Sequence, residues 1–126
     1  MPRIDGGRKG EKVTIAELEQ NLLATVKELR DANDALEAHS KWYAVADHKY
    51  RHAKAVAYLA ASGPVKERES HVDKVCGPER EAAHTAEALM NAAKEKVRSL
   101  QAELSAYQTI AGLIRAEMGL VGRYET

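Results

Sequence analysis

Residues 54–69 carry the sequence KAVAYLAASGPVKERE, in which Ser62-Gly63-Pro64 interrupts two long helical patterns. Glycine readily adopts the left-handed conformation that ends a helix, and proline fits the first turn of the helix that follows. The rest of the chain therefore divides into two arms that meet at this tripeptide.

The composition is typical of long helices. Of the 126 residues, 44% are hydrophobic and 30% are charged, which favours an ordered chain over a disordered one. There is no Phe and only one Trp, while Ala, Glu, Lys, Leu and Arg are abundant. Strands prefer aromatic and β-branched residues, so the composition favours helices and coiled coils. The length suits a single domain, which we predict to span residues 14–126.

The overall charge and the cysteine content restrict the class of protein. The formal net charge is zero, so an argument for a nucleic-acid partner has to come from local charge. A single cysteine, Cys76, excludes an internal disulfide. The first residues lack the apolar run of a signal peptide, and no apolar stretch is long enough to span a bilayer. We therefore expect a cytoplasmic protein.

Residues 1–10 contain three glycines, one proline and the basic side chains Arg3, Arg8 and Lys9. We predict a flexible basic arm over residues 1–13. Its charge suits contact with an anionic partner, and a frayed terminus without such a role explains the same composition.

The first arm begins at Thr14, where Thr14 and Glu17 form the pattern of a capping box. From there to Ala61 neither Pro nor Gly occurs, and apolar residues recur mostly three or four positions apart. This spacing predicts one helix with an apolar face. The residues of that predicted seam are Ile15, Leu18, Leu22, Val26, Leu29, Leu36, Tyr43, Ala46, Tyr50, Ala53, Ala57 and Ala60.

The second arm runs from Pro64 to about Gly119 and alternates steps of four and three without a slip, as coiled-coil seams do. Gly77-Pro78 lies inside this pattern, and the unbroken phase favours a kinked helix over a loop. The predicted seam consists of Val65, Glu69, Val72, Cys76, Glu79, Ala83, Ala86, Met90, Ala93, Val97, Leu100, Leu104, Tyr107, Ala111, Ile114 and Met118.

Two arms of similar length with a short connection predict an all-α fold, a long antiparallel helical hairpin. A lone hairpin buries only a narrow stripe, and much of this stripe is alanine. Because such a hairpin is marginal in stability, we expect the chain to assemble as a homo-oligomer.

Basic side chains concentrate in the half of the hairpin next to the connection. A phosphate-tracking groove made by several copies is the functional interpretation. A solvated face that only sets the polarity of the hairpin is the alternative. The candidate nucleic-acid-binding residues are Lys41, His48, Lys49, Arg51, His52, Lys54, Lys66 and Arg68.

Four aromatic residues lie in the same region. Tyr43 and Tyr50 fall on the predicted seam, so we expect them in the core. Trp42 and Tyr58 lie off its centre, where they would stack on bases or fill a groove between subunits, and we favour the groove.

No catalytic signature is found, and we expect no enzyme, no cofactor and no metal. His48 and His52 are four residues apart, a spacing that suits a shared metal, but no Glu follows His48 as the metalloprotease motif requires. Cys76 falls on the apolar seam, and we expect it to pack as a small buried hydrophobe.

Residues 48–54, His-Lys-Tyr-Arg-His-Ala-Lys, lead through Tyr58-Leu59-Ala60-Ala61-Ser62-Gly63 into a second long helix. In this, residues 40–119 resemble the UvsY-type recombination mediators of T-even phages and similar small proteins of other tailed phages. The resemblance implies ring-like oligomers of helical hairpins that bind single-stranded DNA. It also implies that they load a recombinase onto strands covered by single-strand-binding protein. Lys49-Tyr50-Arg51 matches the Lys-x-Arg spacing of that family's DNA-contacting pair.

The sequence thus leads to the hypothesis of a non-enzymatic, phage-type accessory protein of DNA recombination that binds single-stranded DNA. One alternative is a helical module that binds a phage or host protein and no nucleic acid. Another is a coiled-coil scaffold.

Overall fold

The computed structural model describes residues 14–125, with side chains described through residue 119. Helix α1 spans Ile15–Ala60, α2 spans Val65–Val75 and α3 spans Gly77–Glu125. No strand occurs in this part of the chain. Helix α1 packs against α3, which confirms the predicted all-α hairpin. The predicted basic arm, residues 1–13, lies outside the described residues.

The predicted capping box starts α1. The Glu17 amide donates a hydrogen bond to Thr14 Oγ1 over 3.1 Å, and the Thr14 amide donates to Glu17 Oε2 over 3.4 Å. These two bonds satisfy amide groups that the first turn of a helix leaves without partners. The predicted start of the first arm is therefore confirmed.

The connection between α1 and α2 forms at the predicted tripeptide. Gly63 has a φ of 103°, a left-handed conformation that residues with a Cβ rarely adopt. Pro64 follows in extended conformation as the N-cap of α2, and its carbonyl accepts a hydrogen bond from the Arg68 amide over 3.1 Å. Gly63 thus ends the first arm, and Pro64 starts the second.

The second arm is divided into two helices at Cys76, one residue before the predicted Gly77-Pro78 interruption. Helical hydrogen bonding nevertheless continues through it: the Cys76 amide donates to Val72 O, and the Arg80 amide donates to Cys76 O, both over 2.9 Å. Pro78 is the second residue of α3, in the first turn, which is the part of a helix that tolerates proline best. The arm also continues beyond the predicted end at Gly119.

Contacts divide the chain into two compact units. Among the described residues, the terminal unit comprises residues 14–32 and 96–125, and the tip unit comprises residues 33–95. Each unit contains a stretch of α1 and a stretch of α3, and the tip unit also contains α2.

Small side chains form the core of the tip unit. Ala46 of α1 packs against Ala83 and Ala86 of α3, flanked by Tyr43 and Tyr50. A second cluster joins α1 to α2 and the junction at Cys76; its buried members are Ala57, Val72 and Cys76. These clusters confirm the predicted seams of both arms in this unit. Three predicted members next to the connection are exposed instead, which corrects that end of both seams: Ala60, Val65 and Glu69.

The terminal unit buries larger residues, including Leu18 on α1 and Val97, Leu100 and Tyr107 on α3. Here the predicted seam of the first arm was partly wrong. Its most buried side chains also include Asn21, Thr25 and Ala32.

The polar residues had hidden the correct phase of this seam. The predicted seam members Leu22, Val26 and Leu29 are only half-buried beside it, while Ile15 is 44% exposed. Burial of Asn21 is possible because its Nδ2 donates a hydrogen bond to the Glu17 carbonyl over 2.9 Å. At the other end of the unit, Met118 is 57% exposed, so the second seam ends before it.

Candidate nucleic-acid interface

All eight candidate nucleic-acid-binding residues lie in the tip unit. Seven are exposed, and Arg68 is half-buried. The densest part is residues 41–54, which carry four Lys and Arg side chains against one acid, Asp47. This stretch of α1 therefore presents local positive charge on a chain whose formal net charge is zero.

Two of these cations have acidic partners on the same helix. Lys41 Nζ lies 3.1 Å from Glu37 Oε1, and Arg51 Nε lies 3.0 Å from Asp47 Oδ2. Both basic side chains are 77% exposed. Exposed pairs one helical turn apart contribute only about 0.3–0.5 kcal/mol. An anion of higher charge can therefore displace the carboxylate in either pair.

Two other cations lie over tyrosine rings. Lys54 Nζ is 5.1 Å from the centroid of the Tyr50 ring, and the Arg68 guanidinium carbon is 5.5 Å from that of Tyr58. These cation–π contacts hold the stems of both side chains against the core clusters. Because Tyr58 packs beside the second cluster and beneath Arg68, its ring face is already covered.

The cations do not converge on one face. Lys49 lines a groove with Trp42, Val45, Glu79 and Ala82. A shallower depression beside it is lined by His48, Lys49, His52, Ala53 and Glu79. The basic side chains on this side of α1 are thus Lys49, His48 and His52. The carboxylate of Glu79 borders the same two depressions.

Lys54 lines a different groove, together with Tyr58, Glu69 and Asp73. Lys66 lies in a third depression with two basic residues that the sequence interpretation had left out of the site, His71 and Lys74. Helical spacing on α2 would have indicated them, since Lys66, Ser70 and Lys74 are four residues apart. Five of the candidate residues therefore fall into three separate groups: His48, Lys49 and His52 form one, Lys54 lies in the second and Lys66 in the third.

The aromatic residues differ in burial largely as predicted. Tyr43 and Tyr50 are half-buried against the alanine cluster. The Tyr43 hydroxyl donates a hydrogen bond to the Glu87 carboxylate on α3, and the negative charge of Glu87 is the main cause that raises the pKa of Tyr43 above 10.0. Partial burial of the phenol and the charge of Asp47 add to that shift.

Trp42, in contrast, is 51% exposed. Its ring centroid lies 6.3 Å from that of His39, tilted by 30°. Its ring thus remains available to a base or to a second protein surface.

Cys76 is 2% exposed within the second core cluster, which confirms the prediction that it packs as a small buried hydrophobe. Among the described residues no group of three or more His, Cys, Asp or Glu side chains could hold a metal ion. His48 and His52 border one depression, but only Glu79 joins them there as a potential ligand.

The sequence interpretation missed a second apolar stripe on α1. Trp42, Val45, Val56 and Leu59 are each more than half exposed, at 51%, 52%, 53% and 84%. With Lys49 and His52 between them, they follow steps of three and four, the same signal that identified the buried seam. The two polar residues in its middle concealed this stripe.

In the part of the chain that the structure describes, none of the helices combines the length and the hydropathy needed to cross a bilayer. Comparison with protein families, with characterised proteins and with solved structures finds no match for this chain.

Proposed function

We propose that this protein is a non-enzymatic accessory protein of DNA recombination or replication that binds single-stranded DNA as a homo-oligomer. We also propose that it acts in the cytoplasm, which is the host cytoplasm if a phage encodes it. The observation that supports the proposal most directly is the exposed basic stretch at residues 41–54. The resemblance to UvsY-type mediators adds a recombinase or a single-strand-binding protein as candidate partners.

The distribution of the cations favours a flexible strand over a duplex as the ligand. A duplex is a stiff rod that matches cations on one face, whereas a single strand can follow separated groups around a helix. Lys49, Lys54 and Lys66 lie in three different grooves of the tip unit. A single strand that crosses the tip unit would reach each of them in turn.

Fluorescence anisotropy with a labelled oligonucleotide tests the proposal. The double variant Lys49→Ala/Arg51→Ala should weaken binding, and the slope of log K against log salt should fall by about 0.7 for each lost phosphate contact. The matched control is Lys27→Ala/Arg30→Ala, which likewise removes one exposed lysine and one exposed arginine, but from the terminal unit. This control should bind like the original chain.

Equal losses in the two variants would show that only the total charge matters and would contradict a site in the tip unit. Absence of binding by the assembled protein even at low ionic strength would end the DNA hypothesis. Unlabelled duplex of the same length should compete poorly. If duplex competed as well as the single strand, that result would contradict the expected preference for single-stranded DNA.

The alternative function is a helical module that binds another protein and no nucleic acid. The exposed apolar residues Trp42, Val45, Val56 and Leu59 favour it, since exposed apolar patches mark interaction sites. This alternative expects no effect of Lys49→Ala/Arg51→Ala on any partner that docks on apolar surface. It also expects no oligonucleotide binding at physiological salt.

Assembly itself can be measured separately from DNA binding. Light scattering at micromolar concentration should give a mass above the 13.8 kDa of one chain. A mass near that of one chain would contradict the homo-oligomer.

We further propose that α2 and α3 act as one kinked arm, which the hydrogen bonds on both sides of Cys76 support. Pro78→Ala should then raise the melting temperature, because the arm regains a helical hydrogen bond, and the mass of the assembly should not change. Dissociation of this variant, or a new subunit number, would show that the junction is a required corner between two helices.

A further inference from the structure

We propose that the second apolar stripe of α1 is a two-fold interface at which α1 pairs antiparallel with α1 of a second copy of this chain. The stripe consists of Trp42, Val45, Lys49, His52, Val56 and Leu59. The inference shares with the proposed function only the assembly of the chain with itself, and it does not depend on DNA binding.

Exposure is the first observation. The four apolar members of the stripe are between 51% and 84% exposed, although they lie in the middle of α1, whose buried face packs against α3. Steps of three and four residues align them into one stripe over 18 residues, or about 27 Å of helix. A stripe with this spacing is the seam of a coiled coil that lacks its partner.

The order of residues in the stripe identifies the partner. A two-fold interface requires that residue i meets residue j while j meets i. In an antiparallel pairing centred between Tyr50 and Arg51, Trp42 lies opposite Leu59 of the second copy, and Val45 lies opposite Val56. Apolar residues therefore meet apolar residues in four of the six layers, and the two central layers, which the two-fold axis relates, each pair Lys49 with His52.

The two central layers determine the direction of the pairing. In both central layers, the antiparallel arrangement places Lys49 of one copy opposite the imidazole of His52 of the other. A parallel arrangement would place Lys49 opposite Lys49, two like charges within an apolar seam. One polar layer inside a coiled coil fixes orientation at some cost in stability, which suits this role.

The second arm extends the same surface. Ala82 of α3 lines the groove of Trp42 and Val45 and is exposed. Seven residues to either side, Val75 is 53% and Leu89 is 38% exposed, so all three lie on one flank of that arm. Pairing through α1 would bring this flank toward the second copy and form a four-helix arrangement from two tip units.

Disulfide trapping tests the orientation in a Cys76→Ala background, which leaves no other thiol. Val45→Cys alone and Val56→Cys alone should not form a covalent dimer under oxidation, because like positions lie about 16 Å apart along the axis. A mixture of the two should form a linked dimer, since their Cα atoms then come within about 7 Å. The matched control pair, Ala44→Cys with Ala55→Cys, has the same separation and exposure but lies off the stripe, and it should not link.

Self-linking of either single variant would indicate a parallel interface and overturn the proposal, as would failure of the mixture to link. A ring built from head-to-tail contacts would not give the mixed product alone. The same mixture should show emission of Trp42, the only tryptophan, shifted to shorter wavelength in the linked dimer.

Two substitutions test the energetics by sedimentation over a dilution series. Lys49→Leu replaces the charged side chain at the centre of the stripe by an apolar one. The dimerisation constant should tighten roughly tenfold or more. Val45→Asp should dissociate it while helicity stays unchanged, and Ala44→Asp should do neither. An unchanged dimerisation constant in Lys49→Leu would overturn the proposal.

The two proposals can fail separately. A linked dimer that binds no oligonucleotide would contradict the proposed function and leave the interface standing. Oligonucleotide binding without the mixed disulfide would do the reverse. Lys54→Ala separates them within one variant, because Lys54 lies outside the stripe: the change should weaken binding to DNA and leave dimerisation unchanged.

Discussion

The terminal unit and the tip unit use different side chains for the same task of joining α1 to α3. The terminal unit buries Leu18, Val97, Leu100 and Tyr107. The tip unit has alanines at the corresponding places, with Ala86 fully buried. Large residues remove more apolar surface from water, at about 25 cal/mol per Å². Alanines remove less but let the two helices approach closely.

This difference in core side chains is matched by a difference in which large apolar side chains remain exposed. In the tip unit the small residues face inward, and Trp42, Val45 and Leu59 face outward. The hydrophobic contribution of this unit is therefore small within one chain and leaves room for a further contribution from assembly. All five histidines and all eight candidate site residues also lie in the tip unit. The following variants test this contrast between a core of large side chains and a core of alanines.

The largest effect is expected in the terminal unit. Leu100→Asp places a charge at a position that is 4% exposed and should destabilise the protein by roughly 3 kcal/mol or more. Thermal unfolding by circular dichroism measures the loss. The adjacent exposed control, Ser99→Asp, should change stability by less than about 0.5 kcal/mol. Full helicity and unchanged assembly in Leu100→Asp would show that the seam lies elsewhere.

Overpacking probes the close approach in the tip unit. Ala86→Leu adds three carbon atoms where the side chain is 0% exposed and should cost about 1–3 kcal/mol. Ala88→Leu, exposed on the same helix, is the control and should be nearly neutral. Equal stability of the two variants in chemical denaturation would mean that the alanine cluster is loosely packed.

Replacing a glycine by alanine should change the stability of the protein in opposite directions in the two units. Gly63→Ala forces a Cβ into a φ of 103° and should destabilise by about 1 kcal/mol. Its Cβ would also lie 2.6 Å from Glu67 Oε2, the flexible end of a side chain that can move away.

Gly112, in contrast, is helical with no atom within 4 Å of an added Cβ. Gly112→Ala should therefore stabilise by about 0.5–1 kcal/mol. Melting temperatures that shift in the same direction for both variants would contradict this contrast.

The smallest effect concerns the hydrogen bond between Tyr43 and Glu87. The folded state raises the pKa of Tyr43 above 10.0, so its contribution is complete below pH 10 and is lost as the pH rises through the folded value. Tyr43→Phe should lower stability only slightly near neutral pH. It should also flatten the decline of stability above pH 10, measured by urea unfolding across that range. An unchanged decline would mean that other groups cause it.

Much of this fold could be predicted because its signals are local. Gly63 and Pro64 mark the connection through their own backbone preferences, and Thr14 with Glu17 marks the first helix start. The second seam could be followed from Val72 to Ile114 because apolar or small residues keep one phase at every position except Glu79. Each of these features depends on residues close in sequence.

The errors arose where polar residues occupy seam positions. Asn21 and Thr25 are buried, so the pattern of apolar residues alone led to the neighbouring Leu22 and Val26. Lys49 and His52 concealed the second stripe in the same way. In both places the tertiary neighbours, which composition does not reveal, decide which side of the helix is used.

The grouping of the site residues could not be predicted either. Lys49 and Lys54 are five residues apart and line different grooves, because α2 and α3 approach α1 on two sides. Spacing on one helix predicts which side chains are neighbours there. It does not predict which carboxylates, such as Glu79 or Asp73, the other helices bring to them.

Cys76 offers a kinetic measure of the tip unit. It is the only thiol, it is 2% exposed, and it lies at the junction of α2 and α3. A thiol reagent can reach it only when the surrounding helices separate, so its labelling rate reports the free energy of local opening. Labelling at increasing protein concentration would then show whether contacts between copies slow the opening of each chain. The labelling rate of this single cysteine thus measures how often the α2–α3 junction opens.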